Sequence, residues 1–231
     1  IDKISKEFNL EKELLLALMG IETNFGSYLG KMDILSSLAT LSYDKRRSEF
    51  FTNELITLLK LIDKEIISIE TLYGSWAGAF GNFQFMPTTI NKYAIDYDKN
   101  NSIELKSIDD SFASAANYLN KMGWKKDKPC FYKVSLKSDI PDIYLNYSAR
   151  KINSFDKFKK IKKYIKNTDL NISDNDVVAI ITPDKEIVEN PDKLSPAFII
   201  FPNYTLILNW NRSLRFALAV CTLKEKFENE L

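Results

Sequence analysis

The sequence predicts an α+β fold that is mainly α, a helical core carrying a small β-containing insertion, and three observations carry this reading. All seven glycines lie between Gly20 and Gly123, whereas six of the seven prolines lie between Pro129 and Pro202, a compositional boundary near residue 125. Apolar residues recur at helical spacing on both sides of the proline-rich stretch. Within that stretch, short runs of β-branched and aromatic residues are bounded by Pro, Asn and Asp, as strands are. The organisation expected is a core over residues 1–128, completed by 205–231, with the insertion over 129–204.

Taken in order, the first helix expected is Glu11 to Thr23, where Leu15, Leu18 and Glu22 share one face. A second runs roughly from Arg47 to Ile69, with an apolar run from Leu55; Pro87 opens a short third, and Asp109 to Met122 forms a fourth. Lys151 to Lys166 places Ile152, Phe155, Phe158, Ile161 and Ile165 on the apolar side of a helical pattern and carries seven lysines, so an amphipathic helix is expected there, packed on the domain with a basic face toward solvent or a polyanionic envelope surface. Val177–Thr182 and Ala197–Phe201 read as strands, and Ser213 to Phe227 as the closing helix.

Composition removes many chemistries. The 231 residues hold no histidine, which excludes Ser-His-Asp and Cys-His nucleophile systems and His-ligated metals. Acid-base work then falls to a carboxyl, lysine, tyrosine or cysteine, most often to a carboxyl with a raised pKa. A formal charge of +1 gives no global field for nucleic acid. Cys130 and Cys221 allow one disulfide or two buried thiols, and residue preferences favour the thiols. No apolar run approaches the roughly 18 residues that span a bilayer, and any targeting segment is expected to have been removed before Ile1.

Two segments stand out. Glu22 sits on a buried helical face near a helix C-terminus, where desolvation and the macrodipole both disfavour ionisation and should raise its pKa toward that of a general acid. Gly74 to Pro87 is a stretch of fourteen residues without one charge, holding three glycines; it can bring backbone amides, Ser75, Asn82 and Gln84 to a neutral ligand, with aromatics offering apolar faces, which suits a sugar.

Ile21-Glu22-Thr23-Asn24-Phe25-Gly26, Leu38-Ala-Thr-Leu-Ser42, the Gly74–Pro87 segment, Ala116–Leu119 with Gly123-Trp124, and Asn211-Arg-Ser213 followed by Phe216–Val220 resemble, in order, the blocks of the membrane-bound lytic murein transglycosylase B-type family. The resemblance covers about residues 5 to 225, least well in the insertion. It implies a lysozyme-like core that cleaves the β-1,4 bond between N-acetylmuramic acid and N-acetylglucosamine of peptidoglycan without water, leaving 1,6-anhydromuramic ends. Glu22 matches the family's single catalytic glutamate, in keeping with a charge-free loop that supplies no second carboxylate.

Carried over one position at a time, the resemblance places Ser75 and Gln84 on the saccharide beside Glu22, Tyr118 and Asn211 along the same cleft, and Arg46 and Arg47 against stem-peptide carboxylates. Trp210 keeps an aromatic stacking surface where relatives carry Tyr, without the hydroxyl. Structural alternatives are a core role for Tyr118, helix capping for Asn211 and solvation for the arginines. No cofactor is required for the chemistry. Asp96, Asp98, Asn100, Ser102 and Asp110 match a family calcium loop with EF-hand-like spacing, in which Asn101 takes the usual glycine position and Ser107 that of the bidentate acid. Ser107 and Asp110 also read as an N-cap and third-residue acid of the next helix. The implied setting is the bacterial periplasm or cell envelope, with peptidoglycan strands and stem peptides as partners, envelope complexes and an anchor outside this sequence left open, and a monomer. A hydrolytic muramidase and an inactive glycan-binding module are the alternatives. Penicillin-binding serine motifs at Ser42, Ser148 and Ser173 fail for want of a glycine after Gly123.

Overall fold

The computed structural model describes residues 1–167, 169–185, 192 and 194–230. It divides into two units, Ile1–Trp124 and Lys125–Leu231. The helices expected to complete the core after residue 205 group with the second unit.

The first unit contains α1 (Asp2–Glu7), α2 (Lys12–Thr23), β1 (Met32–Asp33), α3 (Ile34–Tyr43), α4 (Ser48–Asp63), β2 (Tyr73–Gly74), α5 (Pro87–Tyr93) and α6 (Ile108–Met122). Helix α6 is buried on every face from Asp110 to Leu119, so its polar residues must find partners inside the protein. They do: Ser114 Oγ accepts from the Ile95 N–H at 3.0 Å, and Asn117 Nδ2 donates to the Tyr93 carbonyl at 2.7 Å. Ser107 caps α6 through the Asp110 N–H, and Gly123 ends it at φ +91°. Helix α2 buries Leu14, Leu15 and Leu18 completely, and Glu11 at its N-cap accepts from Trp124 Nε1 at 2.8 Å. Helix α4 stops at Asp63, short of the expected Ile69. Glu65 turns left-handed at φ +55°, and the Ile66 N–H returns to the Leu61 carbonyl, closing the helix without a glycine. Buried Glu54 of α4 accepts from the Thr88 N–H at 2.9 Å and the Thr88 hydroxyl at 2.7 Å, fixing the start of α5.

The second unit holds β3 (Phe131–Val134), β4 (Leu145–Asn146), β5 (Asp156–Lys157), α7 (Phe158–Ile161), β6 (Val177–Ile181), β7 (Ala197–Ile200), α8 (Pro202–Trp210) and α9 (Leu214–Glu230). Strands run in the order β3-β7-β6-β4, with β5 also paired to β6; β4 and β6 are parallel and the other pairs antiparallel. Both expected strands lie in this sheet and are buried through Val178, Ile180, Ile199 and Ile200. The single amphipathic helix expected over Lys151–Lys166 is replaced by β5, the one-turn α7 and a 3-10 turn at Lys162–Tyr164. Its apolar positions still point inward, since Phe158, Ile161 and Ile165 join the sheet's core. The preference for free thiols is also overturned: Cys130 and Cys221 form a disulfide between the start of β3 and α9, across 91 residues. Tyr204 donates to the Leu214 carbonyl at 2.6 Å, tying α8 to α9, and burial pushes its phenol pKa far up. Among the described residues, no helix is long and apolar enough to cross a membrane.

Candidate active site

Glu22 occupies the last turn of α2 and is half-buried. The two residues that precede it on its face, Leu15 and Leu18, are wholly buried, so the carboxylate stands where an apolar stripe reaches the surface. Directly after the helix, Asn24, Phe25 and Gly26 all take positive φ, at 48°, 55° and 79°. Three successive left-handed residues, one of them aromatic, are a strained arrangement of the kind found at functional sites. Hydrogen bonds hold it: the Asn24 N–H reaches the Gly20 carbonyl, the Phe25 N–H the Met19 carbonyl, and the Gly26 N–H the Thr23 hydroxyl at 3.1 Å.

Thr23, next to Glu22 and buried, is the joint between this turn and the charge-free loop. Its hydroxyl donates to the Asn82 carbonyl at 2.9 Å and lies 3.1 Å from the Met19 carbonyl. The loop is built around close approaches that require glycine. A Cβ on Gly30, at φ +83°, would overlap the Gly74 carbonyl, so the segment after Glu22 packs on the backbone of Gly74 and Ser75. A Cβ on Gly78, at φ +90°, would overlap Leu38 of α3. Ser75 closes the loop's first turn, its N–H donating to the Ala79 carbonyl at 2.8 Å and its Oγ accepting from the Ala79 N–H at 3.1 Å. Half-buried Gln84, at φ +49°, donates through Nε2 to the carbonyls of Gly81 at 3.1 Å and Leu29 at 3.3 Å, lacing the loop to the stretch after Glu22. Ser75 and Gln84 are thus drawn to the turn that bears Glu22.

Asn82, expected to face a ligand, faces inward. It is buried, and its Nδ2 donates to Ser111 Oγ at 2.9 Å and the Lys106 carbonyl at 3.1 Å. Tyr118 is also nearly buried on α6; its ring meets Tyr93 edge-on at 4.6 Å and lies 6.2 Å from Phe85, and burial pushes its phenol up to about 12. Arg46 is paired to Asp44 through Nε at 3.0 and 3.1 Å, which holds the Asp44 carboxyl at about 2. Arg47 precedes α4 with its guanidinium over Phe50 at 4.5 Å and Phe51 at 5.0 Å. Both arginines line a cavity of about 240 Å³ with Leu41, Asp44, Phe51 and Trp76. Trp76, 68% exposed, also borders a neighbouring cavity of about 270 Å³ lined by Met32, Asp33, Ser36, Ser37, Thr40 and Leu41. An exposed tryptophan bridging two hollows is the aromatic platform that reading the loop as a whole did not single out; its signal is an aromatic at the tip of a glycine-rich, uncharged turn.

Trp210 and Asn211 belong to the second unit. Trp210 is half-buried and ends α8, while Asn211 is exposed at that helix's C-cap. The cap of α9 is Ser213, whose Oγ accepts from the Phe216 N–H at 3.2 Å, so capping does not explain Asn211.

The acidic loop brings Asp96, Asp98 and Asp110 together, with carboxylate oxygens within 4.8 Å of one another. Asn101 makes the sharp turn at φ +71°, a conformation asparagine tolerates in place of glycine. Asp96 accepts from the N–H groups of Asn100 and Asn101, and Asp110 from those of Tyr97 and Glu104. Asp98 is raised above its ordinary pKa by desolvation, with the nearby Asp110 and Asp96 adding to it. An all-oxygen donor set with crowded negative charge fits a hard cation such as calcium. Ser107 is committed to capping α6 and leaves the acidic role to Asp110.

The Transglycosylase SLT domain family model matches residues 1–225. Membrane-bound lytic murein transglycosylase B of Escherichia coli (strain K12) is 39% identical over 120 residues, 52% of this chain and 33% of that protein. Among solved structures, SltB3 from Pseudomonas aeruginosa in complex with NAG-anhNAM-pentapeptide superposes with a TM-score of 0.82 at 29% identity, over 98% of this chain and 59% of that one. The Escherichia coli lytic transglycosylase Slt35 in complex with calcium gives a TM-score of 0.77 at 25% identity, over 97% and 68%. The chain therefore spans one third of the first relative and about three-fifths of SltB3.

Proposed function

We propose, from the premise that this chain belongs to the Transglycosylase SLT domain family, that it is a lytic transglycosylase acting on peptidoglycan in the bacterial envelope, with Glu22 as its single acid and base. The observation that carries the reading is the setting of Glu22: a half-buried carboxylate at a strained helix end, laced to a fourteen-residue loop that contains no acid. Half burial and the negative end of α2 favour the protonated form, as a general acid requires. Glu22 gives its proton to the glycosidic oxygen as the bond from C1 of the muramic residue breaks, and the leaving sugar departs as an alcohol. The muramic 6-hydroxyl then closes onto C1, and its proton passes to the Glu22 carboxylate, restoring the acid. Atoms balance without water, so no second carboxylate is needed to activate one.

Ser75 and Gln84 orient the saccharide, the exposed face of Trp76 offers it a stacking surface, and Arg46 and Arg47 meet stem-peptide carboxylates at the cavity they line. Tyr118, Trp210 and Asn211 are assigned to the same substrate by the family resemblance. Calcium held by Asp96, Asp98, Asn100, Ser102 and Asp110 would neutralise and brace that loop, remote from the chemistry.

Mass spectrometry of muropeptides released from purified peptidoglycan tests this. Wild-type protein should release anhydro ends, one water lighter than reducing ends, and Glu22→Gln should release none while still binding the glycan. Reducing ends would make the protein a hydrolase, and turnover by Glu22→Gln would remove Glu22 from the mechanism.

A further inference from the structure

The positive charge of this nearly neutral protein is concentrated in one stretch. Between residues 131 and 167 ten Lys and Arg stand against three Asp, whereas the rest of the chain holds 22 against 28 Asp and Glu. Folding gathers this charge further. An antiparallel bridge between Leu136 and Ile165, flanked by the Lys137 N–H to the Tyr164 carbonyl at 2.8 Å and the Lys166 N–H to the Ser135 carbonyl at 2.9 Å, lays 133–137 beside 163–166. Alternation along the first segment buries Val134 and Leu136 and turns Lys133, Ser135 and Lys137 outward. On the second, Phe158 and Ile161 face the core, while Lys159 and Lys163, one helical turn apart, face solvent, followed by exposed Lys166.

Some of these lysines have local roles. Lys160 pairs with Asp156 at 3.0 Å, Lys162 with Asp174 at 2.8 Å, and Lys137 Nζ donates to the Lys163 carbonyl at 2.7 Å. Among the described residues, Lys133, Lys159, Lys163 and Lys166 have no carboxylate partner in ion-pair range, and all four are exposed. Like charges gathered on one surface oppose folding, so a partner of opposite sign is the physical counterpart of such a patch. All four are lysines, compact and hydrated point charges on flexible stems, not the planar forks that read a defined carboxylate or phosphate in fixed register. That chemistry suits a layer of phosphates free to rearrange.

We propose that the face formed by Lys133, Lys159, Lys163 and Lys166 is an electrostatic docking surface for an anionic phospholipid membrane. It acts independently of the saccharide site. Its test is co-sedimentation of the full chain with vesicles of phosphatidylcholine, with and without 30% phosphatidylglycerol, for wild type and the quadruple variant K133Q/K159Q/K163Q/K166Q. At about fivefold per lysine near a charged surface, the variant should bind the anionic vesicles on the order of a hundredfold or more weakly. Wild-type binding should fall steeply as salt shortens the screening length. Circular dichroism of the variant should match wild type, because the four side chains are exposed. Equal binding to neutral and anionic vesicles, or equal binding by wild type and variant, overturns the proposal. Retention on purified sacculi, lost in the variant and without binding to anionic vesicles, overturns it in favour of a carboxylate-bearing glycan.

Discussion

Replacing Thr23 by valine keeps the shape of the joint beside Glu22 and removes its hydroxyl. In the folded protein that oxygen donates to the Asn82 carbonyl at 2.9 Å, approaches the Met19 carbonyl at 3.1 Å and accepts from the Gly26 N–H at 3.1 Å. The Met19 carbonyl keeps the Phe25 N–H, but the Asn82 carbonyl and the Gly26 N–H lose the partners described for them. A buried polar group left unpaired costs about 1–3 kcal/mol, so Thr23→Val should destabilise by about 2–4 kcal/mol, measured as a shift in urea midpoint at constant slope. Because the same oxygen fixes the left-handed turn after Glu22, muropeptide release should fall under conditions where the variant is still folded. Thr23→Ser, which keeps the oxygen, should retain most of both. A loss of stability below about 0.5 kcal/mol with unchanged release would refute the claim that Thr23 couples the loop to the glutamate.

Gly78→Ala should lower stability by about 2 kcal/mol or more, because it forces a side chain into a left-handed backbone against Leu38; thermal unfolding reads this. Replacing Cys130 and Cys221 by serine opens a 91-residue loop, and the chain-entropy relation puts the loss near ~4.6 kcal/mol, measurable by urea unfolding with and without reductant. Calcium should raise the unfolding temperature of wild type relative to chelator, and Asp98→Asn should shrink the difference. Asp44 should titrate at about 2 by NMR and move up toward 3.8 in Arg46→Ala. Since its folded pKa is depressed, the pairing favours the fold above about pH 4 and is lost as pH falls through 2.

Much of this was legible in the chain because it rests on local rules. Helices α2, α5, α6 and α9 follow from apolar spacing and caps, and β6 and β7 from dense β-branched runs bounded by Pro and Asp. The candidate site was legible where backbone chemistry leaves a trace: Glu22 at the end of an apolar face, and glycines where Cβ atoms would collide. What stayed hidden depends on contacts between distant residues. Asn82 reads as a ligand contact until Ser111 and the Lys106 carbonyl are placed beside it. The left-handed Glu65 that stops α4 carries no glycine signal. Periodicity in Lys151–Lys166 correctly chose the inward residues but not the backbone, because Asp156 and Lys157 pair with Val178 and Val177 of β6 before a helix can extend. Pairing of two cysteines 91 residues apart is a matter of topology, which spacing does not report.

The bond from Trp124 to Glu11 joins residues 113 positions apart and brings the tail of the first unit back to the start of α2. Nearby, Asn120 Nδ2 reaches the Phe8 carbonyl at 2.9 Å, so the two ends of this unit are clasped side by side. Segments whose ends meet can be reopened elsewhere: a circular permutant joining residues 1 and 124 by a short linker, with new ends in the exposed turn at Lys64-Glu65, asks the backbone to span little distance. In such a protein the order of the helices would change while Glu22, Thr23 and the loop that holds them kept their places.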